Sequence, residues 1–331
     1  MQSFRSRAPG GVHGSRAGGA RSAFQMTMGA VSAVPVTPSR DGNGAGREAD
    51  LRSGGSADRP RGCSVALRRA VVLCALVVAA ALAAGPAHAD PGPAITPGVL
   101  LLSPVDGQVT SSCRAGFVFA GHGATYLGYA AHCAGASESM GLSGCAEPTL
   151  PVGTGVTIVG NDGSRTSGRL AYTSWGTMQR RGESDPARCL HNDFALVELD
   201  PADAARADPT VPVFGGPTGL DTDGTDPGEP VYSHQPRGGA NAAKEGRSLG
   251  STGRGLAHRV ETRPPGRSGD SGSGYLDGRG RAFGVLSTLY TDGSGANGVT
   301  DLARALAYAN AHGGIGHVVL VPGREPFRLR D

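Results

Sequence analysis

The chain has 331 residues, 38% of them hydrophobic, enough for one or two domains once any segment removed before folding is set aside. Its formal net charge of +3 is unevenly spread, with 11 Arg against 4 acids up to Ala89 and 20 basic residues against 24 acids from Asp90 onward. The basic balance therefore belongs to the N-terminal stretch. The remainder has no excess positive charge and no basic stripe interleaved with aromatics, so nucleic acid is not an expected partner.

Residues 1–64 are biased to Gly, Ser, Arg and Ala and cannot form a core. They read either as a disordered leader or as the product of a mis-assigned start, and translation beginning near Val65 is the preferred explanation. Arg68 and Arg69 then lead into the apolar run AVVLCALVVAAALAAG (70–85), followed by the small-residue pattern Ala87-His88-Ala89. That order predicts a secretory signal peptide over 65–89, cleaved near Ala89/Asp90. The run is shorter than the roughly 20 residues a bilayer core requires, and Cys74 lacks a preceding small residue for lipidation. No stable membrane anchor is expected.

From Gly98 onward, short apolar runs alternate with glycine-rich turns: GFVFA (116–120), TYLGYAA (125–131), VTIV (156–159), FALVEL (194–199) and AFGVLSTLY (282–290). This spacing predicts an all-β fold. VTIVGNDGSRTSGRLAY (156–172) reads as a hairpin turning at Asn161, Asp162 and Gly163. The Pro-, Asp- and Gly-rich stretch 201–229 reads as a crossing between two halves, and TDLARALAYANAH (300–312) as a helix with Thr300 as N-cap and Gly313 as stop.

Two of the six cysteines fall before residue 90, leaving Cys113, Cys133, Cys145 and Cys189. An even number in an exported chain implies disulfides, with three pairings open. Zinc, with His132 and His191 as further ligands, is the competing reading, but no Cys-x-x-Cys knuckle is present.

GRSGDSGSG (266–274) sets Ser271 among glycines, yet with 55 glycines in the chain such a string is weak evidence alone. His132, in YAAHC at the end of a strand-like run, and Asp193, in HNDFALVEL just before another, change its weight. A serine hydroxyl needs a base, imidazole titrates near neutrality, and a buried carboxylate fixes the imidazole tautomer. Glycines around the serine let backbone N–H groups converge on a developing oxyanion.

YAAHC, NDFAL and GDSGS, in the order His, Asp, Ser, resemble the three signature segments of the trypsin/chymotrypsin-like serine proteases, secreted bacterial members in particular, over about Ser112 to Asn310. The resemblance implies two perpendicular six-stranded antiparallel β-barrels, about 98–205 and 210–312, within a protease domain 90–331, with the C-terminal helix after them. It implies His132 as general base and acid, Asp193 as its orienting carboxylate, Ser271 as nucleophile, and Gly269 and Ser271 as oxyanion-hole donors. It also implies a Cys113–Cys133 bridge behind the histidine, leaving Cys145 with Cys189, and places Ser287 beside the substrate backbone. No cofactor or metal follows from it; protein or peptide substrates and a monomer do.

The chain departs from the pattern in several places. Tyr129 replaces a small hydroxyl residue, and Asp90 does not begin an Ile-Val-Gly-Gly segment, so Asp270 needs another partner, for which an arginine is the candidate. The run 318–321 lies past the expected end of the fold and would add an edge strand. Pro265 occupies the base of the primary pocket where trypsin-type members carry aspartate; Leu286 replaces the histidine of glutamate-cleaving relatives, and Leu289 narrows the entrance. A preference for Ala, Val or Leu before the cut bond is expected, with Glu261 the first acidic alternative. An α/β-hydrolase is excluded because Ser273 breaks the Gly-x-Ser-x-Gly pattern and serine follows histidine. The remaining rival is an inactive secreted relative acting as a binding module. His191 is expected as a half-exposed strand-end residue, Trp175 as core, and His122, His234, His258, His312 and His317 as surface or structural.

Overall fold

The computed structural model describes residues 94–105, 108–136, 141, 143–236 and 242–329. The signal peptide expected at 65–89, the stretch 1–64 and the mature start at Asp90 lie outside the described residues.

The N-terminal half is one antiparallel sheet. Its own strands are β1 (Leu100–Val105), β2 (Gln108–Arg114), β3 (Phe117–Gly121), β4 (Ala124–Tyr129), β5 (Gly155–Val159), β6 (Arg165–Thr173) and β7 (Ala195–Glu198). The second half is a closed six-stranded barrel of β8 (Pro230–His234), β9 (Ala243–Thr252), β10 (Ala257–Arg263), β11 (Gly274–Asp277), β12 (Ala282–Leu289) and β13 (Asn297–Asp301). After it, β14 (Val319–Leu320) returns to pair with β3, making the first sheet eight-stranded in the order β14-β3-β4-β7-β6-β5-β1-β2. The all-β expectation, the six-stranded barrel and the edge strand from the tail are thus found, and the first sheet has eight strands where six were implied.

Local chemistry explains the strands. Val156 and Ile158 of β5 are buried while their neighbours are not, the period of a strand with one face on the core. The β5–β6 hairpin turns where Gly163 takes φ +77° and the Asp162 carboxylate accepts the Ser164 N–H at 2.9 Å, the two devices that make Gly and Asp turn residues.

Helices occupy the connections: α1 (Ser174–Arg180) and α2 (Pro186–His191) between β6 and β7, α3 (Pro201–Ala204) in the crossing, and α4 (Leu302–His312) after the barrel. The cap of α4 is Asp301, whose carboxylate accepts the Arg304 N–H at 2.8 Å. Thr300, the residue expected there, belongs to β13 and donates its hydroxyl to the His191 carbonyl at 3.0 Å. Leu302, Ala305, Leu306 and Ala309 of α4 are buried in one cluster with Phe117, Phe119 and Tyr172 of the first sheet and Phe194 just before β7. Val231, Val260, Tyr275, Phe283, Leu286 and Val299 form a second cluster within the barrel. No helix among the described residues is long and apolar enough to cross a membrane.

Candidate active site

His132 stands in a short 3-10 turn, Ala131–Ala134, that begins two residues after β4 ends. Its neighbour Cys133 is bonded to Cys113 of β2, so the turn is tied to the sheet on both sides. Asp193 follows α2, which starts with Pro186 behind an Asp185 cap accepting the Ala187 N–H at 3.1 Å. Within α2, Cys189 is bonded to Cys145. The four cysteines are therefore paired as the resemblance implied. Both sulfurs beside His132 are committed to a disulfide, which disposes of the zinc reading there.

The carboxylate of Asp193 is 3% exposed and accepts three hydrogen bonds. The His132 backbone N–H reaches Oδ1 at 2.8 Å, His132 Nδ1 reaches Oδ2 at 2.7 Å, and the Ser287 hydroxyl reaches Oδ2 at 2.6 Å. Burial by itself would raise the Asp193 carboxyl. The charge of His132 and the hydrogen bonds from His132 and Ser287 outweigh it and hold the group below the ordinary carboxylate value. His132 is itself 6% exposed, with Trp175 of α1 at 6.5 Å between ring centroids. Trp175 is buried, as expected of a core residue.

A residue that sequence reasoning missed braces this arrangement. The Ser174 hydroxyl donates to the Asn192 carbonyl at 2.7 Å and accepts the Phe194 N–H at 3.1 Å, gripping the chain on both sides of Asp193. No motif marks it; a serine beginning a short helix carries no sequence signal for that role.

Ser271 lies in the loop between β10 and β11, flanked by Gly269 and Gly272, both at φ +87°. Its carbonyl accepts the N–H of Arg114, next to Cys113, at 2.8 Å. Gly272 donates to the Leu286 carbonyl at 2.7 Å, and Leu286 donates back to Ser273 at 2.8 Å. A Cβ at Gly272 would stand 2.3 Å from the Arg114 carbonyl and 3.1 Å from the Ala130 nitrogen, so only glycine admits this approach. The loop thus lies against three residues near the rest of the candidate site: Arg114 beside the Cys113–Cys133 bridge, Ala130 two before His132, and Leu286 one before Ser287. Among the described residues, the Ser271 hydroxyl makes no hydrogen bond, and the N–H groups of Gly269 and Ser271 have no acceptor.

The expected specificity residues are more dispersed. Pro265 is exposed, while the next residue, Gly266, is buried and donates its N–H to the Asn297 side chain at 2.9 Å. Leu286 is buried and Leu289 half-buried at the end of β12. Ser287 has its hydroxyl committed to Asp193. Glu261 pairs with exposed Arg247 at 3.2 Å. Of the other histidines, His191 ends α2, a helix where a strand end was expected, and burial lowers its pKa. His258 is buried between Asp301 at 2.9 Å and the Thr225 hydroxyl at 3.1 Å, a structural role. His234 is pushed down to about 4, first by burial and then by the charge of Arg114.

No protein-family model and no curated protein matches the chain. Solved structures do. The structures similar to it are serine proteases of the trypsin/chymotrypsin-like type. Protease A of Thermobifida fusca is 19% identical with a TM-score of 0.42, over 69% of this chain and 99% of its own. The Nocardiopsis protease is 18% identical with a TM-score of 0.40, over 68% and 98%. The chymotrypsin of Cellulomonas bogoriensis is 17% identical with a TM-score of 0.38, over 69% and 98%.

Proposed function

We propose that the chain is a secreted serine endopeptidase acting through His132, Asp193 and Ser271. The observation that carries this reading is the interlock of the three segments: Asp193 receives both His132 and Ser287, while the Ser271 loop is hydrogen-bonded to the residues adjoining Cys113 and Ser287 and packs on Ala130. The Ser271 oxygen attacks the scissile carbonyl carbon as its proton passes to His132 Nε2, with Nδ1 held by Asp193. The oxyanion that forms faces the N–H groups of Gly269 and Ser271, which have no acceptor of their own. The leaving amine takes the proton from His132, and water repeats the sequence to release the acid and restore Ser271. Apo hydroxyl–imidazole contacts are commonly loose and tighten with substrate, so the unbonded Ser271 hydroxyl is compatible with this role.

The substrates are proteins or peptides, with an apolar residue such as Ala, Val or Leu before the cut bond. Neither buried Gly266, next to exposed Pro265, nor buried Leu286 offers a charge, and an unpaired charged side chain buried against them would be costly. The two disulfides fit export through the 65–89 signal, and the protein is read as a monomer. A fluorophosphonate should attach to Ser271, and a peptide library should be cut after Leu or Ala in preference to Arg or Lys. Protein that takes no label but binds peptides would be the inactive binding module instead. Tenfold preference for Arg or Lys would reject the apolar pocket and direct attention to Glu261.

A further inference from the structure

Asp193 closes a turn that its own segment does little to hold. α2 ends at His191, and the chain then bends through Asn192, at φ −84° and ψ 82°, so that the Asp193 N–H donates to the His191 carbonyl at 3.1 Å. This is an inverse γ-turn, three residues closed by one bond. Asparagine often braces a bend with its own side chain, but among the described residues neither polar atom of the buried Asn192 amide has a hydrogen-bond partner. The turn is held from outside, by one hydroxyl on each of its carbonyls. Ser174, from the first half, donates to the Asn192 carbonyl at 2.7 Å, and Thr300 of β13, from the barrel, donates to the His191 carbonyl at 3.0 Å.

The barrel meets this segment at three places. Arg254, in the turn between β9 and β10, pairs with Asp185, the cap that starts α2. The His191 ring lies against Gly253, where a Cβ would stand 2.1 Å from its Cδ2. Thr300 is the third, and it differs from Arg254 in burial: the arginine side chain is 69% exposed and Thr300 only 1%. Its place in the barrel matters too. Thr300 stands opposite Val285 of β12, two residues before Ser287, and Ser287 donates to the carboxylate of the same Asp193 whose turn Thr300 holds. Leu286, between Val285 and Ser287, donates its N–H to the Ser273 carbonyl in the serine loop at 2.8 Å. One small region of the barrel therefore holds the backbone that aims Asp193, meets its carboxylate, and anchors the segment bearing Ser271.

We propose that Thr300 is a positioning residue: by holding the His191 carbonyl it fixes the turn that presents the Asp193 carboxylate to His132, and it sets that carboxylate in register with the barrel that carries Ser271. The proposal rests on the endopeptidase reading and adds to it a residue outside the three signature segments, on the strand before α4. Thr300 acts through the backbone of Asp193 and has no part in the proton transfers. A misplacement of about 1 Å can cost about 100-fold in rate, so a bond made two residues away from the carboxylate is enough to be felt.

The test compares disulfide-intact wild-type protein with Thr300→Val, Thr300→Ser and Arg254→Gln. Each is measured for thermal unfolding, for the rate at which a fluorophosphonate attaches to Ser271, for kcat and KM on a small chromogenic ester, and for the proton NMR resonance of His132 Nδ1, whose position follows the length of its bond to Asp193. Valine keeps the shape of threonine without the donor. Thr300→Val is expected to lower the labelling rate and kcat by about tenfold or more, with KM within about twofold, and to move the Nδ1 resonance. Thr300→Ser keeps a donor and recovers most of the rate and the wild-type resonance. Arg254→Gln loosens the start of α2 without touching the turn and stays within about twofold of the wild-type rate, because an exposed pair contributes little. Wild-type rate and an unmoved resonance in Thr300→Val would overturn the proposal. So would a Thr300→Ser protein as slow as Thr300→Val, or an equal loss in Arg254→Gln, since the rate would then follow any loosening of α2. If Thr300→Val does not fold, Thr300→Ala is read by the same outcomes. Wild-type protein that takes no label at Ser271 rejects the endopeptidase reading, and the Nδ1 resonance then decides alone: moved in Thr300→Val, the aiming of Asp193 by Thr300 stands; unmoved, it falls.

Discussion

Replacing Ser287 by alanine removes the shortest of the three hydrogen bonds that Asp193 accepts, the one at 2.6 Å, and leaves the two from His132 in place. Donor and acceptor are both buried, so water does not take the lost place. A hydrogen bond to a charged group contributes about 1.5–3 kcal/mol, which for a domain of this size shifts Tm down by roughly 3–12 °C. The effect has a pH signature. The folded pKa of Asp193 is depressed, so its contribution to stability is fully present above the unfolded value and is lost as pH falls through the folded one. The unfolded chains of wild type and Ser287→Ala titrate alike, so the gap between the two should be constant from pH 5 to 8 and narrow only as pH falls through the depressed folded value of Asp193. Calorimetry of disulfide-intact protein across that range measures it. Ser271→Ala is the companion, since its hydroxyl makes no hydrogen bond among the described residues and its removal should change Tm little. A gap that is absent at pH 7, or that widens as pH falls, would refute the account of how Asp193 is held.

Fluorophosphonate labelling should vanish in Ser271→Ala, and label retained elsewhere in the chain would remove Ser271 from the nucleophile's place. Mass spectrometry of unreduced protein should find Cys113 linked to Cys133 and Cys145 to Cys189; losing the second bridge should cost about 2–4 kcal/mol, and a free thiol at any of the four would contradict the pairing. Asp301→Ala uncaps α4 and strips buried His258 of its carboxylate, so denaturant unfolding should register a loss of about 2–4 kcal/mol; a change below about 0.5 kcal/mol would mean that neither contact matters. Phe327→Ala removes a half-buried ring that packs on Tyr232 at 5.5 Å, with an expected cost of about 1–2 kcal/mol, less than the ~3–5 of a fully buried ring, and no loss at all would show the tail to be only loosely laid down.

The candidate site was legible where its backbone geometry constrains the local sequence. Ser271 needs glycines at positive φ on both sides, and that requirement is written into GDSGS; His132 and Asp193 adjoin strand runs whose apolar pattern is plain. What was not legible depends on residues distant in the chain. The segment SWGTMQR, with a glycine at its third position, has no helical pattern of its own; α1 forms because Ser174 is bonded on both sides of Asp193 and Trp175 packs near His132. Lys244, in ANAAKEGRSLG, stands in no motif, and its burial follows from the closure of the barrel. The α4 cap offered two adjacent candidates, Thr300 and Asp301, and the choice between them was made by His191, whose carbonyl takes the threonine hydroxyl.

The return of residues 319–320 to the first sheet bears on how the protein behaves when crowded with copies of itself. Without them, β3 would present a five-residue border of unpaired N–H and C=O groups, a template on which another chain could add a strand. β14 covers part of that border with two residues, too short a strip to template further growth. Beyond β14, the Val321 N–H donates to the Val118 carbonyl at 3.0 Å and the Arg328 N–H to the Phe214 carbonyl at 2.8 Å, holding the strip down from its far side. A version lacking residues 319–329 should accordingly lose solubility well before it loses the geometry around Ser271, because what the tail guards is the sheet's outer rim.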